Sequence, residues 1–461
     1  MKLKNNVSKK NGLSIMGLFF ALLIVLAYSG FSWSVIVVLL TTLVAIGFSS
    51  RHLAIEDRAQ ARLLLITTFT VYCISAVFFS ITFEGGKAFV TPDALQYFSH
   101  LKMTSLDMDP MVSIVTCYGL LSDNNEMHEL FVRYCILFAN NYLDGASVIY
   151  LTLINVLFGV LTIGTVFRIL LKTTSSHKAF KYALFFALLS PFHFYSVAFV
   201  RDILVAFFYA YTIEIILSKF KVGNVFLLFI FVILVWGIRL YSGLFILFFI
   251  AYYFLQKILE SRATSSAIVV LFFSVLIVSF VFSQLRVTDI LTQSMEEIQN
   301  YQEYNADRAS TASLSMKLES LPPVIREVSL IAFAQIMPFP PYIGTIDMAS
   351  TIPEFYTAVL TCIYEIYWYF IAFGLLYMLI LKKCFSQLTV GDKLLIIIIL
   401  SYIYLNTSQI DVRRVMAIYP LILFLYVKCR ELFLAGRNQL VMNRTLGLAY
   451  FALIIIYTLL K

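Results

Sequence analysis

Four places along this chain keep charged side chains beside long apolar runs, and their residue types could handle phosphate and hydroxyl groups. Arg201 and Asp202 sit in SVAFVRDIL, Arg239 in VWGIRLYSG, and Asp411, Arg413 and Arg414 in SQIDVRRVMAIYP. Asp93 lies in TPDALQYF, together with Tyr97. A charge stranded in hydrocarbon costs several kcal/mol, so residues of this kind mark function or pairing. Arginine offers planar forked donors that match phosphate oxygens, and a carboxylate can draw the proton from an acceptor hydroxyl. Bland readings stand beside these. A single arginine at a helix end serves as a snorkelling anchor or half of an ion pair. Asp93 fits an N-cap for a short helix over 94–103, and Asp411 fits a partner for its neighbouring arginines. The adjacent Arg413 and Arg414 argue more strongly for an anionic ligand.

Glu214 and Glu365 fall inside apolar runs, where a carboxylate is a functional suspect by default. Glu365 is set among Tyr364, Tyr367, Trp368 and Tyr369, a pattern of either an interfacial aromatic belt or a sugar-stacking wall, the belt being favoured. His100, His128 and His193 show no ligand spacing and read as loop or boundary residues. The six cysteines form no C-x-x-C pair, so neither a zinc site nor a redox motif is expected. Cys117 and Cys135 share one loop, which leaves a disulfide between them open. No metal and no cofactor are expected, and the lack of a phosphate-binding glycine loop argues against a nucleotide-driven pump.

These residues need elements to carry them. The 461 residues are 61% hydrophobic and only 13% charged, where ordinary soluble domains carry roughly 25% charge. Apolar segments about 20 residues long read as spanning helices. The expectation is an all-α, polytopic transmembrane bundle of about thirteen spans, near 13–30, 33–48, 63–83, 146–170, 182–199, 203–218, 225–238, 241–256, 265–283, 356–380, 393–407, 414–427 and 445–460. The first run is read as a span because no small-residue cleavage site follows it.

With the N-terminus inside, most of the 34 basic residues fall on short inner loops, in keeping with the positive-inside rule. The four charged places then all lie outside. Two outer segments are long, roughly 84–145 and 284–355, within a single membrane domain over 1–461. The first contains two short apolar stretches, 110–121 and 130–139, that read as interfacial or re-entrant helices. The second carries 328–342, an amphipathic helix broken by Pro338, Pro340 and Pro341. No internal repeat is evident, and the scattered basic residues are not a nucleic-acid signal.

The hydrophobic profile, the TPDALQY segment, SPFHFYSVAFVRD at a helix hairpin, PFPP after a long loop and DVRR-x5-P before a late helix resemble bacterial O-antigen and capsule repeat-unit polymerases. These are integral membrane glycosyltransferases of the broad GT-C class. The resemblance covers most of the chain. It implies a multi-pass protein of the bacterial inner membrane, with its active face in the periplasm, acting on oligosaccharides linked to undecaprenyl pyrophosphate. A chain-length regulator protein is an implied partner. Arg201, Arg239, Arg413 and Arg414 would engage the pyrophosphate and Asp93 the acceptor hydroxyl. Apart from the resemblance, Asp202, Glu365, Asp411 and Tyr97 are expected to bind substrate. The chain has Pro341 where related chains often carry an aromatic residue. A flippase or other transporter of lipid-linked oligosaccharide, and an O-antigen ligase, are the rival expectations.

Overall fold

Backbone amides in an apolar environment must be paired within their own segment, which favours helices. The computed structural model describes residues 2–84, 97–105, 126–218, 222–239, 242–243, 245–252, 321–333, 335, 352–380, 384–407, 412–433 and 437–460, and every labelled element among them is an α-helix. In chain order these are α1 (Lys2–Tyr28), α2 (Trp33–Ser49), α3 (Ile55–Glu84), α4 (Glu126–Tyr142), α5 (Val148–Leu170), α6 (Ser176–Leu189), α7 (Pro191–Val197) and α8 (Asp202–Ile216). There follow α9 (Val222–Ile238), α10 (Pro323–Phe333), α11 (Ile352–Ile380), α12 (Cys384–Gln387), α13 (Val390–Thr407), α14 (Val412–Met416), α15 (Tyr419–Phe433) and α16 (Arg437–Leu460).

Among the described residues four helices are long and apolar enough to cross a membrane: Ile55–Ile81, Val148–Leu170, Ala358–Ile380 and Asn438–Leu459. Shorter apolar helices cover Ser14–Tyr28, Trp33–Ser49 and Phe226–Ile238. Large apolar side chains such as Phe19, Phe48, Phe226, Phe451 and Leu459 point outward, as a lipid-facing surface requires.

Helix α5 is the pillar. It packs against α2, α3, α6, α7 and α8, and 78% of its apolar window is buried, whereas the corresponding window of α16 is 11% buried. Lipid tails are as apolar as leucine, so helices associate through close packing and small residues. Gly159 shows this on α5, since a Cβ there would come within 2.5 Å of Ser196 Oγ.

Polar side chains tie the helix ends. At one end of the bundle the Asp144 carboxylate accepts from Trp33 N (2.7 Å), Ser34 N (2.9 Å) and Ser32 Oγ (3.0 Å), so it caps α2 from the start of α5. Burial opposes its charge, yet these donors hold its carboxyl below the usual range. At the opposite end Arg168 grips Glu214 through two bonds of 2.6 and 2.8 Å and also reaches Ser49 Oγ at 2.7 Å. Glu214 is therefore half of an ion pair. Lys428 pairs with Asp392 at 2.6 Å and Lys178 with Glu431 at 2.7 Å at that same end.

Several expected runs are divided differently. The run 182–199 is two helices, α6 and α7, because Pro191 cannot donate to the preceding turn and starts a new helix at its first position. Likewise 414–427 breaks between α14 and α15, just ahead of Pro420. The stretch 130–139 belongs to the longer α4, and of 328–342 the described part is helix α10, ending at Phe333. The segments 265–283 and 110–121 lie outside the described residues. Cys135 is a free thiol, and its supposed partner Cys117 lies outside the described residues.

Removing Glu214 would leave Arg168 partly buried without its carboxylate. Glu214→Ala should cost about 2–4 kcal/mol of stability, visible as a lower melting temperature of the detergent-purified protein. Adding Arg168→Leu should restore part of the loss, and an unchanged melting temperature in Glu214→Ala would contradict the assignment.

Candidate functional site

The hairpin between α6 and α8 is built residue by residue. Ser190 Oγ donates to Phe186 O (2.6 Å) and accepts from Phe192 N (3.3 Å), ending α6 and opening α7. Asn155 of α5 then donates to the carbonyls of Tyr195 (3.0 Å) and Ser196 (3.2 Å), capping the end of α7. The chain turns at Phe199, a non-glycine residue with φ of 50°. Such a conformation costs roughly 1–3 kcal/mol unless its surroundings hold it. They do: the Phe199 ring stacks on Phe98 at 5.4 Å and meets the edges of Tyr97 at 5.8 Å and His128 at 6.2 Å. Two residues on, Arg201 and Asp202 emerge into the protein interior, 6% and 0% exposed.

Asp202 opens α8 and Arg239 follows the last turn of α9, and Arg239 Nη1 donates to Asp202 Oδ1. Each charge is favoured by its own helix dipole, a carboxylate at an N-terminus and a guanidinium at a C-terminus. The pair thus staples α8 to α9. Arg239 is 3% exposed, and its buried Nη2 has no hydrogen-bond partner among the described residues.

Two tyrosines close the next layer. Tyr209 donates to Ser242 O (2.8 Å) and Tyr402 donates to Arg414 O (2.9 Å), their rings edge to face at 5.7 Å. Tyr402 lies within electrostatic reach of Arg239, Asp202 and Arg414. The short helix α14, which carries Arg413 and Arg414, packs against α7 and α8. The fold thereby brings Arg201, Asp202, Arg239 and Arg414 together at one end of the bundle.

His128, expected as an ordinary loop or boundary residue, lies within electrostatic reach of Arg201 and Asp202. It is 1% exposed, its ring lies 4.7 Å from that of Tyr97, and its Nδ1 has no hydrogen-bond partner among the described residues. Burial pushes its imidazole from the usual 6.5 down to about 3; Arg201 adds in the same direction and Asp202 opposes. The missed signal is helical phase, because His128 shares the face of Val132, Ile136 and Ala139, all buried. Tyr97, expected to line a substrate, is 1% exposed and packs beneath the hairpin. Asparagine 140 fastens the adjoining segment by donating to Leu101 O (2.9 Å) and Met103 O (2.8 Å).

Other expected residues lie elsewhere. Glu365 is 2% exposed and accepts from Tyr450 Oη at 2.6 Å, in the interface of α11 with α16. No bond joins it to the arginines among the described residues. Of its aromatic neighbours, Tyr364, Trp368 and Tyr369 are buried inside the bundle, and Tyr367 lines a cavity between helices. Trp368 stacks on Tyr419 at 3.6 Å and donates to Gln335 Oε1 at 3.1 Å, and Tyr364 bonds His193 Nδ1 at 2.6 Å. His193 is a buried junction as well, with Nε2 against Ser75 Oγ at 2.8 Å. These side chains turn inward because α11 is packed on both flanks, by α3 and α15. Asp93, Asp411 and the Arg413 side chain lie outside the described residues. Among the described residues no cluster of His, Cys, Asp and Glu is suited to a metal ion.

No known protein family, curated protein or solved structure matches the chain. What fold and site define is a class: an all-helical protein with several helices able to span a membrane and a buried arginine–carboxylate cluster at one end.

Burial of His128 makes stability depend on pH. The unfolded chain takes up a proton as pH falls through 6.5, while the folded imidazole resists until about 3. The stabilisation is therefore complete above pH 6.5 and is lost progressively below it. Acidification from pH 7 to 5 should cost about 2 kcal/mol through this residue. His128→Asn should flatten that part of the pH dependence of thermal unfolding, and an unaltered profile would contradict a buried neutral imidazole.

Proposed function

We propose that the chain is an integral membrane glycosyltransferase that polymerises undecaprenyl-pyrophosphate-linked oligosaccharide repeat units, of O-antigen or capsule, at the periplasmic face of the inner membrane. In this reading it crosses the membrane about thirteen times with its N-terminus in the cytoplasm. The single observation that carries the proposal is the gathering of Arg201, Asp202, Arg239 and Arg414, from the hairpin, the end of α9 and α14, at one end of the bundle. The motifs that resemble repeat-unit polymerases support it independently.

In the reaction the C1–O bond to the donor pyrophosphate breaks and a new C1–O bond forms to a hydroxyl of the acceptor sugar. The leaving group is already activated, so the protein's task is to offset the negative charge that develops on it and to orient the acceptor. Guanidiniums suit the first task, since each can present two donors to a phosphate oxygen pair. Arg239 is held rigidly by Asp202 and keeps the buried Nη2 donor open for this purpose. The acceptor proton passes to a base, for which Asp93 is the assigned carboxylate.

The test is genetic. In a strain lacking the chromosomal gene, Arg239→Lys and Arg414→Ala variants should insert at normal levels but leave single repeats on a polysaccharide gel. Lysine keeps the charge and the pairing with Asp202 but loses the fork, so Arg239→Lys separates catalysis from stability. Normal chain lengths in both variants would overturn the arginine assignment. The deletion itself sorts the rivals: no surface glycan marks a flippase, polymer retained on the carrier lipid marks a ligase, and a single repeat marks a polymerase.

A further inference from the structure

At the opposite end of the bundle from the arginine cluster, α6, α11, α15 and α16 enclose an open cavity of about 780 Å³. Its lining changes character with depth. Lys178, Lys181, Arg430 and Glu431 occupy the rim, near the start of α6 and the end of α15. Tyr182 lies next to Lys181, Phe185 and Tyr426 come about a turn further along the same helices, and Tyr367, Phe370 and Ile371 of α11 form another wall. Charged mouth and aromatic depth together are the profile of an amphiphile lying along the helices.

The rim is also electrostatically built. Lys178 uses its charge on Glu431 at 2.7 Å. Arg430 does not: its guanidinium lies 5.4 Å over the Tyr182 ring and 5.9 Å over Tyr426, and Nη1 donates to Tyr426 Oη at 3.3 Å. Among the described residues neither Arg430 nor Lys181 has a carboxylate partner. Arg430 is thus oriented by two aromatic rings with forked donors to spare, beside an exposed lysine. Glu431 leaves the four rim charges positive on balance, which selects an anionic head over a zwitterionic one.

We propose that this cavity binds one anionic glycerophospholipid, its phosphodiester held by Arg430 and Lys181 and an acyl chain laid along Tyr182, Phe185 and Phe370. The inference requires that the helices cross a bilayer and is independent of glycosyl transfer. One wall is α16, the least buried of the four candidate spans among the described residues, so a lipid bound here would fasten it to α11 and α15.

The experiment is native mass spectrometry of the full-length protein, released from micelles containing phosphatidylglycerol, phosphatidylcholine or inorganic phosphate. The expected result is one retained phosphatidylglycerol per chain, little phosphatidylcholine and no retained phosphate. Basic residues near a lipid surface contribute about 1 kcal/mol each, so Lys181→Gln with Arg430→Gln should weaken retention at least tenfold. Lys181→Gln alone changes an exposed side chain and should give a smaller loss in a protein of unchanged fold. Equal retention of both lipids, retention unaffected by the double variant, or retention of inorganic phosphate in place of lipid would each overturn the proposal. A chain-length defect in Arg239→Lys with normal lipid retention would show that the two sites are separate.

Discussion

Asp202 has no exposed surface, and the architecture at its end of the bundle follows from that fact. An ionised carboxylate withdrawn from water costs several kcal/mol even after relaxation, and only a well-placed cation recovers it. Arg239 supplies one from just beyond the next helix, which requires the start of α8 and the end of α9 to lie at the same level. The Phe199 turn delivers Asp202 to that level at a conformational cost, and the aromatic contacts of Tyr97, Phe98 and His128 offset it. Asn155 and Gly159 of α5 then allow α7 to sit close enough for the turn to be made. Each of these features is dispensable for forming a helix and necessary for placing the charge.

The two ends of the bundle use charge differently. At the end with Arg168, ion pairs join neighbouring helices, Arg168 with Glu214, Lys428 with Asp392 and Lys178 with Glu431, while Arg430 and Lys181 line the cavity there. Pairs of this kind hold neighbouring helices in register. At the other end Arg239 pairs with Asp202, Tyr402 lies within electrostatic reach of both and of Arg414, and the buried His128 lies within reach of Arg201 and Asp202. Side chains that only needed partners would be satisfied by the first arrangement. The second groups arginines near one buried carboxylate, which is the feature the proposal of phosphate recognition rests on.

Much of the fold was legible in the sequence. The apolar runs near 33–48, 146–170, 203–218, 225–238 and 356–380 correspond closely to α2, α5, α8, α9 and α11, because a long apolar run bounded by polar residues has few alternatives to a helix. The divisions at Pro191 and Pro420 were visible as prolines and were overridden by the surrounding hydrophobicity. The site was legible in part. Arg201, Asp202, Arg239 and Arg414 stand out by type, since a charge in so apolar a chain has to be accounted for. His128 and Tyr402 do not stand out: each sits in phase with apolar neighbours on its helix, and nothing local distinguishes a core tyrosine from one that holds an arginine's backbone.

Composition and apolar run length determined that the chain is helical and that its exterior is apolar, because both depend on the solvation of each segment by itself. Charge type and local spacing determined which arginines and carboxylates needed explanation. Which of them meet was decided only by tertiary structure. Asp202 joined Arg239 and left Glu365 to Tyr450, and Trp368 turned inward to Tyr419 and away from any interface. Those outcomes depend on the rotation and depth of helices far apart in the chain, and rotation is set by packing against neighbours, which no single segment encodes.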